Sequence, residues 1–286
     1  MLEVHNLVCH RDVSMALICL KSLLATSQEK LQLVIHDDGS LTDEDEALIR
    51  DELPKALLLS RHQADCELAR PLKAFPTLRQ ARPRLPHLLK ILDVPMLCRS
   101  ENVSFVDSDV LFLRAHQGLF QISKRRSVGC RFLFDSRTCH GFRLRDFWPL
   151  GPVCPTARLN SGLFCVRCDA IDFEWIEAVC RRVGLPQMLQ HRSWFEQGLW
   201  AAIAGHVGSE MIDHSQIATA EIASEIPRDP IALHFITPVR ELLKDQAPRA
   251  QPSRPAEPIR AVPAASYTIL HAAWAATLFR LRRLLQ

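Results

Sequence analysis

Concentrated positive charge is missing from this chain. Its 286 residues hold 35 Lys and Arg against 32 Asp and Glu, a formal net charge of +3. The basic residues form only short runs, such as Lys124-Arg125-Arg126. A nucleic-acid binder gathers them on one face, so that class is set aside. A secretory leader is not expected either. "MLEVHNLVCH" carries an acidic residue early and reads as a strand, with no basic segment ahead of a long apolar one. The ten cysteines are therefore expected as free thiols in a reducing, cytoplasmic setting. Cys9, Cys19, Cys165 and Cys180 sit in apolar segments and read as small hydrophobes. Cys165 and Cys168 form a Cys-x-x-Cys with no second pair near it, which does not predict a zinc site. The chain shows no internal repeat.

Apolar residues make up 48% of the chain, enough to bury the core of one large α/β domain or two small ones. The first hundred residues alternate between two patterns. "LEVHNLVCH", "LQLVI", "ALLLS" and "VSFVD" read as strands, "LQLVI" and "ALLLS" of the kind buried in parallel sheets. Between them lie helical patterns. Asp12 is placed to cap a helix through Val13, Ala16, Leu20 and Leu23. Thr42 with Asp45 resembles a capping box that opens "TDEDEALIRDEL". "LPHLLKILDVPML" reads as a further helix. This order predicts a Rossmann-like, mostly parallel central sheet with helices on both faces. Further on, "SVGCRFLF", "SGLFCVRC" and "IALHFI" read as strands. Asp169 is placed to cap the helix after the second of them, and Ser193 to open "WFEQGLWAAIAG". Residues 135–158, rich in Gly and Pro, are irregular.

Ligands of such sheets bind beyond the carboxyl ends of the strands. Two acidic segments fall there. In "FVDSDVLFLR", Asp107, Ser108 and Asp109 follow an apolar lead-in. Two carboxylates this close repel unless a cation lies between them. They can simply build a turn, or they can hold a divalent ion on a diphosphate, where the ion acts as Lewis acid and template. Mg²⁺ and Mn²⁺ both suit carboxylates, and Mn²⁺ accepts an added imidazole more readily. In "HDDGS", Asp37 and Asp38 close a strand and Gly39 permits a turn. A carboxylate here can accept hydrogen bonds from a nucleobase or a ribose, or make an Asx turn.

These segments resemble nucleotide-sugar glycosyltransferases of the GT-A fold. "FVDSDVLFLR" is similar to their D-x-D strand end and "VIHDDGS" to their early aspartate loop. "LPHLLKILDVP" resembles the helix before the D-x-D, where a basic residue, here Lys90, faces the donor diphosphate. "LNSGLFCVR" resembles the later segment whose Asn and Gly, here Asn160 and Gly162, line the sugar pocket. "FEQGLWAAI" resembles the acidic helix start near the acceptor. "ALHFITPVR" resembles the strand whose histidine, here His234, supplies a third metal ligand in family 8. The segments follow in order over roughly residues 2 to 245. "HDDGS" is closer to family 2 usage, and the Gly-x-x-Lys-Pro-Trp pattern that follows the family 8 histidine is absent.

The resemblance implies a UDP-linked or similar donor, a divalent metal on Asp107, Asp109 and His234, and an acceptor hydroxyl on a glycan, lipid or protein. Arg240 can reach phosphate oxygens with its planar fork, or pair with Glu241 or Asp245. An inverting transferase needs a base for the acceptor. Glu196 is the candidate, although Ser193 and Glu196 also read as a capping box, and Asp135 competes with it. Two other readings remain: a non-catalytic nucleotide-sugar or carbohydrate-binding protein on the same fold, and a phosphatase of the haloacid dehalogenase type. The expected organisation is a catalytic unit over 1–247, a linker over 248–265 carrying five prolines, and an amphipathic helix over 266–286. That tail helix, with Trp274, Phe279 and three arginines, can lie on an anionic membrane face or pack on the domain or on a second copy.

Overall fold

The computed structural model describes all residues except 126, 139–141, 143, 148–153, 191, 221–225, 238, 248–254 and 285–286; at 145, 193, 276 and 278–284 only the backbone is described. Three strands open the chain: β1 (Leu2–Val8), β2 (Leu31–Asp37) and β3 (Leu57–Leu59), with α1 (Val13–Thr26) and α2 (Asp43–Glu52) between them. Next come α3 (Arg61–Leu68), α4 (Pro76–Ala81), α5 (Asp93–Leu97), β4 (Asn102–Val106), β5 (Val110–Phe112), β6 (His116–Gln117), β7 (Cys130–Phe134) and β8 (Leu159–Arg167). The rest is α6 (Phe173–Val183), α7 (Leu185–Gln190), α8 (Arg192–Val207), β9 (Ser209–Ile212), β10 (Ile217–Ala220), β11 (Ala232–Phe235), α9 (Leu242–Gln246), β12 (Glu257–Pro258), β13 (Ala261–Pro263) and α10 (Ile269–Leu284).

Eight strands form the central sheet in the order β13-β9-β7-β8-β4-β1-β2-β3. The half built first is parallel: β4, β1, β2 and β3 pair in one direction. On its other side β8 enters antiparallel between β4 and β7. Alternation along the strands feeds two cores. Phe105 packs with α4, α6 and α8 on one face, and its neighbour Val106 packs with α1 on the other. Across the strands, Phe105, Phe164 and Phe132 stack at centroid separations of 5.1 Å, and Trp200 of α8 closes on Phe164 at 4.6 Å. Each fully buried side chain of this size contributes about 1.5–3 kcal/mol.

After Val106 the chain leaves the central sheet, and β5 joins β11 and β10 in a small second sheet. The acidic pair is thus the hinge between two sheets. Antiparallel pairing of β11 with β5 sets His234 opposite Val110, and Phe235 N donates to Asp109 O at 2.8 Å.

Several local expectations change. The capping box of Thr42 and Asp45 forms as read. Asp12 stands at the N-cap of α1, but its side chain does not cap. It accepts instead from Arg240, whose charge attracts it more strongly than a backbone amide does. Asp172, not Asp169, caps α6 through Trp175 N. "LPHLLKILDVPML" is not one helix. It divides into a 3₁₀ turn over Pro86–Lys90 and the short α5. A continuous helix would set the Pro95 ring against the carbonyl four residues earlier. "ALLLS" is an edge strand rather than a buried one, and Leu57 is 49% exposed. Ser193 lies within α8, which begins at Arg192. The described part of the Pro-rich stretch is not free chain. β12 pairs with β6, β13 pairs with β9 at the edge of the central sheet, and Ile259 is buried between.

Candidate active site

A cleft of about 900 Å³ opens at the carboxyl ends of β1 and β4. Its floor is Asp107-Ser108-Asp109. Asp107 N donates to Gly162 O at 2.7 Å, which ties the pair to β8. One ligand atom each from Asp107, Asp109 and His234 lies within 4.8 Å of the others. His234 Nε2 is 2.9 Å from Asp109 Oδ1 and 3.9 Å from Asp107 Oδ2. Two carboxylates and an imidazole are a donor set that suits Mn²⁺ and accommodates Mg²⁺. Gly162 makes room for it. A Cβ added there would fall 2.2 Å from His234 Cε1, so the glycine cradles the imidazole rather than bending the chain.

Cations surround the pair. Arg240 Nε donates to Asp109 Oδ2 at 2.8 Å and its Nη2 to Asp12 Oδ2 at 3.1 Å. Lys90 Nζ is 3.1 Å from Asp107 Oδ1 and 3.5 Å from Glu196 Oε1. Burial pulls the Lys90 ammonium down, but Asp107 and Glu196 outweigh it, and its pKa stands above that of an ordinary lysine. Burial pushes the Asp109 carboxyl up, but His234 and Arg240 outweigh it, and it is held below the usual range. Glu196 differs. Burial pushes its carboxyl up to about 7, and Lys90 and the Ser161 hydrogen bond (3.0 Å) offset only part of that. A group balanced near neutrality can exchange a proton.

Most residues singled out in the sequence come together here. Asp38, Ser108, Asp135, Asn160, Gly162 and Arg240 line the cleft along with the metal-type triad, Lys90 and Glu196. Asn160 Nδ2 donates to Asp135 Oδ2 at 2.9 Å, and Gly162 N donates to Asn160 Oδ1 at 2.8 Å, so Asn160 is fixed at both ends. Glu196 turns toward Ser161 and Lys90. Asp37 does not join them. Its oxygens accept from the backbone of Gly39 at 2.7 Å and of Leu41 and Arg61 at 3.2 Å, which makes it the brace of the turn that presents Asp38.

Asp12, His87, Ser161, Trp194 and Gln197 also line the cleft and were not read as site residues. Asp12 looked like a helix cap, and Ser161 sat unremarked between Asn160 and Gly162. The other three carry no signal in the sequence alone.

No protein-family model matches the chain, and no curated protein matches it in sequence. Solved structures do match. Mouse xyloside xylosyltransferase 1, in its apo form, is similar with a TM-score of 0.54 and 10% identity, over 83% of this chain and 98% of that one. The galactosyltransferase LgtC, in complex with donor and acceptor sugar analogs, gives 0.52 and 11%, over 89% and 98%. The glycosyltransferase GlyE of Streptococcus pneumoniae TIGR4 gives 0.52 and 12%, over 86% of this chain and 61% of that one. At such identities the likeness speaks for the fold: an α/β GT-A fold, mostly parallel at its centre. A haloacid dehalogenase architecture, the phosphatase alternative, is not what the chain adopts.

Proposed function

We propose that the protein is a metal-dependent glycosyltransferase that moves a sugar from a nucleoside-diphosphate donor, read as UDP-linked, to an acceptor hydroxyl. The carrying observation is the convergence of Asp107, Asp109 and His234, from two sheets, in one cleft that also holds Lys90 and Arg240. The glycosyltransferase neighbours of the same fold support it.

The residues present fit a divalent ion, through the donor set and the space Gly162 leaves for His234. Such an ion would neutralise charge developing on the leaving diphosphate. Around it, Lys90 and Arg240 supply two further positive groups in reach of phosphate oxygens. Asp38 stands at the cleft rim where a nucleoside would lie. Asn160 is held by Asp135 and Gly162 through one N–H and one lone pair of its amide, and its second N–H and second lone pair can meet a sugar hydroxyl. It orients Asp135 within the sugar pocket. Glu196, close to neutral in its balance of forms, is the group placed to take a proton from the acceptor, and Asp135 remains the second candidate for that role.

A non-catalytic nucleotide-sugar or carbohydrate-binding protein would use the same cleft without transferring a sugar, and the second assay below separates the two. Calorimetry of UDP with and without Mn²⁺ tests the proposal. Binding that strengthens with the metal is expected, and no metal-dependent binding of any nucleoside diphosphate refutes it. Release of UDP from a panel of UDP-sugars then separates transfer from binding and names the donor.

Among the described residues no helix is long and apolar enough to cross a membrane. A cytoplasmic setting is part of the proposal. So is a surface role for α10, on a membrane face or a second copy. Ala272 of this helix packs on the core, while Leu270 and Trp274 are exposed.

A further inference from the structure

At the end of the central sheet opposite the cleft, four residues distant in sequence meet. Glu3 and His5, two apart on β1, project to one face. Cys98 lies on the approach to β4. Cys168 follows β8, where its backbone N donates to Glu101 O at 2.9 Å. Glu3 Oε2 is 3.8 Å from His5 Nε2 and 3.7 Å from Cys98 Sγ, and one ligand atom from each of the three falls within 4.8 Å of the others. The two thiols converge on one carbonyl: Cys168 Sγ is 3.2 Å and Cys98 Sγ 3.7 Å from Ser100 O. Cys98 Sγ also faces Asn102 O at 3.5 Å, and Glu3 Oε2 accepts from Arg99 N at 2.9 Å.

A second observation points to a ligand. His5 is fully buried, and its Nε2 makes no hydrogen bond. Its other nitrogen meets His36 Nε2 at 2.9 Å. That contact holds the ring with Nε2 turned toward the Glu3 carboxylate and the Cys98 thiol. Buried imidazole nitrogens ordinarily find a partner. One orphaned beside a carboxylate and a sulfur is the arrangement that metal-binding histidines show, with the far nitrogen oriented by a neighbour.

We propose that Glu3, His5 and Cys98, with Cys168 as a fourth donor, form a second metal site, selective for zinc, that clasps the ends of β1, β4 and β8. Carboxylate, imidazole and thiolate together suit Zn²⁺, and four protein donors make a closed structural site. On binding, each ligating thiol gives its proton to solvent and a sulfur–zinc bond forms, with no change of oxidation state. The cleft site differs in kind, since its two carboxylates and one imidazole include no sulfur.

Cobalt distinguishes the two. The full chain, reduced and stripped with a chelator, would be titrated anaerobically with Co²⁺ and followed by absorbance. A thiolate-to-cobalt charge-transfer band is expected in the wild type and in Asp109→Asn, and is expected to fall by about half in Cys98→Ser, where Cys168 is the thiolate left. Zn²⁺ should raise the thermal unfolding midpoint of the wild type more than that of Cys98→Ser. Should Cys98→Ser fail to fold, Glu3→Gln, at the rim, replaces it and should weaken the band. No thiolate band in the wild type, or a band that survives both substitutions unchanged, overturns the site. Neither outcome bears on the glycosyltransferase reading, which Asp109→Asn tests separately.

Discussion

Glu196 and Asp109 sit in the same cleft and are pushed in opposite directions, so their substitution should read out differently. Burial raises the Glu196 pKa to about 7 from an ordinary value of 4.5. The folded state therefore keeps a proton that the unfolded chain releases between those values. That stabilisation is fully present below about pH 4.5 and is lost as pH rises through about 7, a change on the order of 3 kcal/mol. The buried imidazoles of His5 and His36, lowered by burial, shift stability the other way over part of this range, so the readout is the difference: denaturant unfolding at pH 5 and pH 8 should show the wild type losing stability relative to Glu196→Gln as pH rises. Turnover that needs the ionised carboxylate should climb over the same interval and fall sharply in the variant. Asp109→Asn should abolish turnover while circular dichroism shows the fold intact, at a stability cost of about 1–3 kcal/mol for the weakened Arg240 and His234 contacts. Unchanged turnover would remove Asp109 from the mechanism. At this scale the acidic pair was legible because an apolar strand leads straight into it. Asp12 was not, because a carboxylate before a helix looks the same whether it caps or pairs with an arginine over two hundred residues away. Asp37 and Asp38 are chemically identical neighbours. The turn at Gly39, with φ of +100°, buries Asp37 against the backbone, while Asp38 lines the cleft with one oxygen held by Ser40 N and Oγ at 3.0 and 2.6 Å, an Asx turn.

Strands were easier to read than helices here. Continuous apolar runs such as "LQLVI" have few alternatives, and the parallel half of the sheet follows from them. The segment before the acidic pair misled because its apolar spacing is helical while Pro95 forbids a continuous helix. The direction of β8 was not legible either, since antiparallel and parallel central strands carry the same apolar signature. Yet β8 sets the site, because its register brings Gly162 under His234. Gly162→Ala should therefore displace the imidazole while leaving the strand paired. The expected result is loss of the metal-dependent part of UDP binding with little change in circular dichroism, measured by calorimetry at fixed UDP with and without Mn²⁺. Retained metal dependence would mean that His234 is dispensable.

At the scale of the molecule, the organisation read from proline content was the least legible feature. Prolines suit linkers, and they equally suit short edge strands that need few backbone donors. β13 covers the edge of β9, and Tyr267 N donates to Pro155 O at 2.6 Å. A chain ending at residue 247 would bare that edge and should unfold at least about 5 °C below the full-length protein in a thermal melt; an equal midpoint would make the later residues a dispensable appendage. The joint between the two sheets has a consequence in time. His234 is made 125 positions after Asp109, an interval of roughly ten seconds at ribosomal speed. During it the nascent chain carries an acidic pair with no histidine to complete it. Chains stalled short of residue 234 should retain no manganese, whereas those stalled with β11 clear of the exit tunnel should. Metal capture would then mark the moment β11 docks against β5.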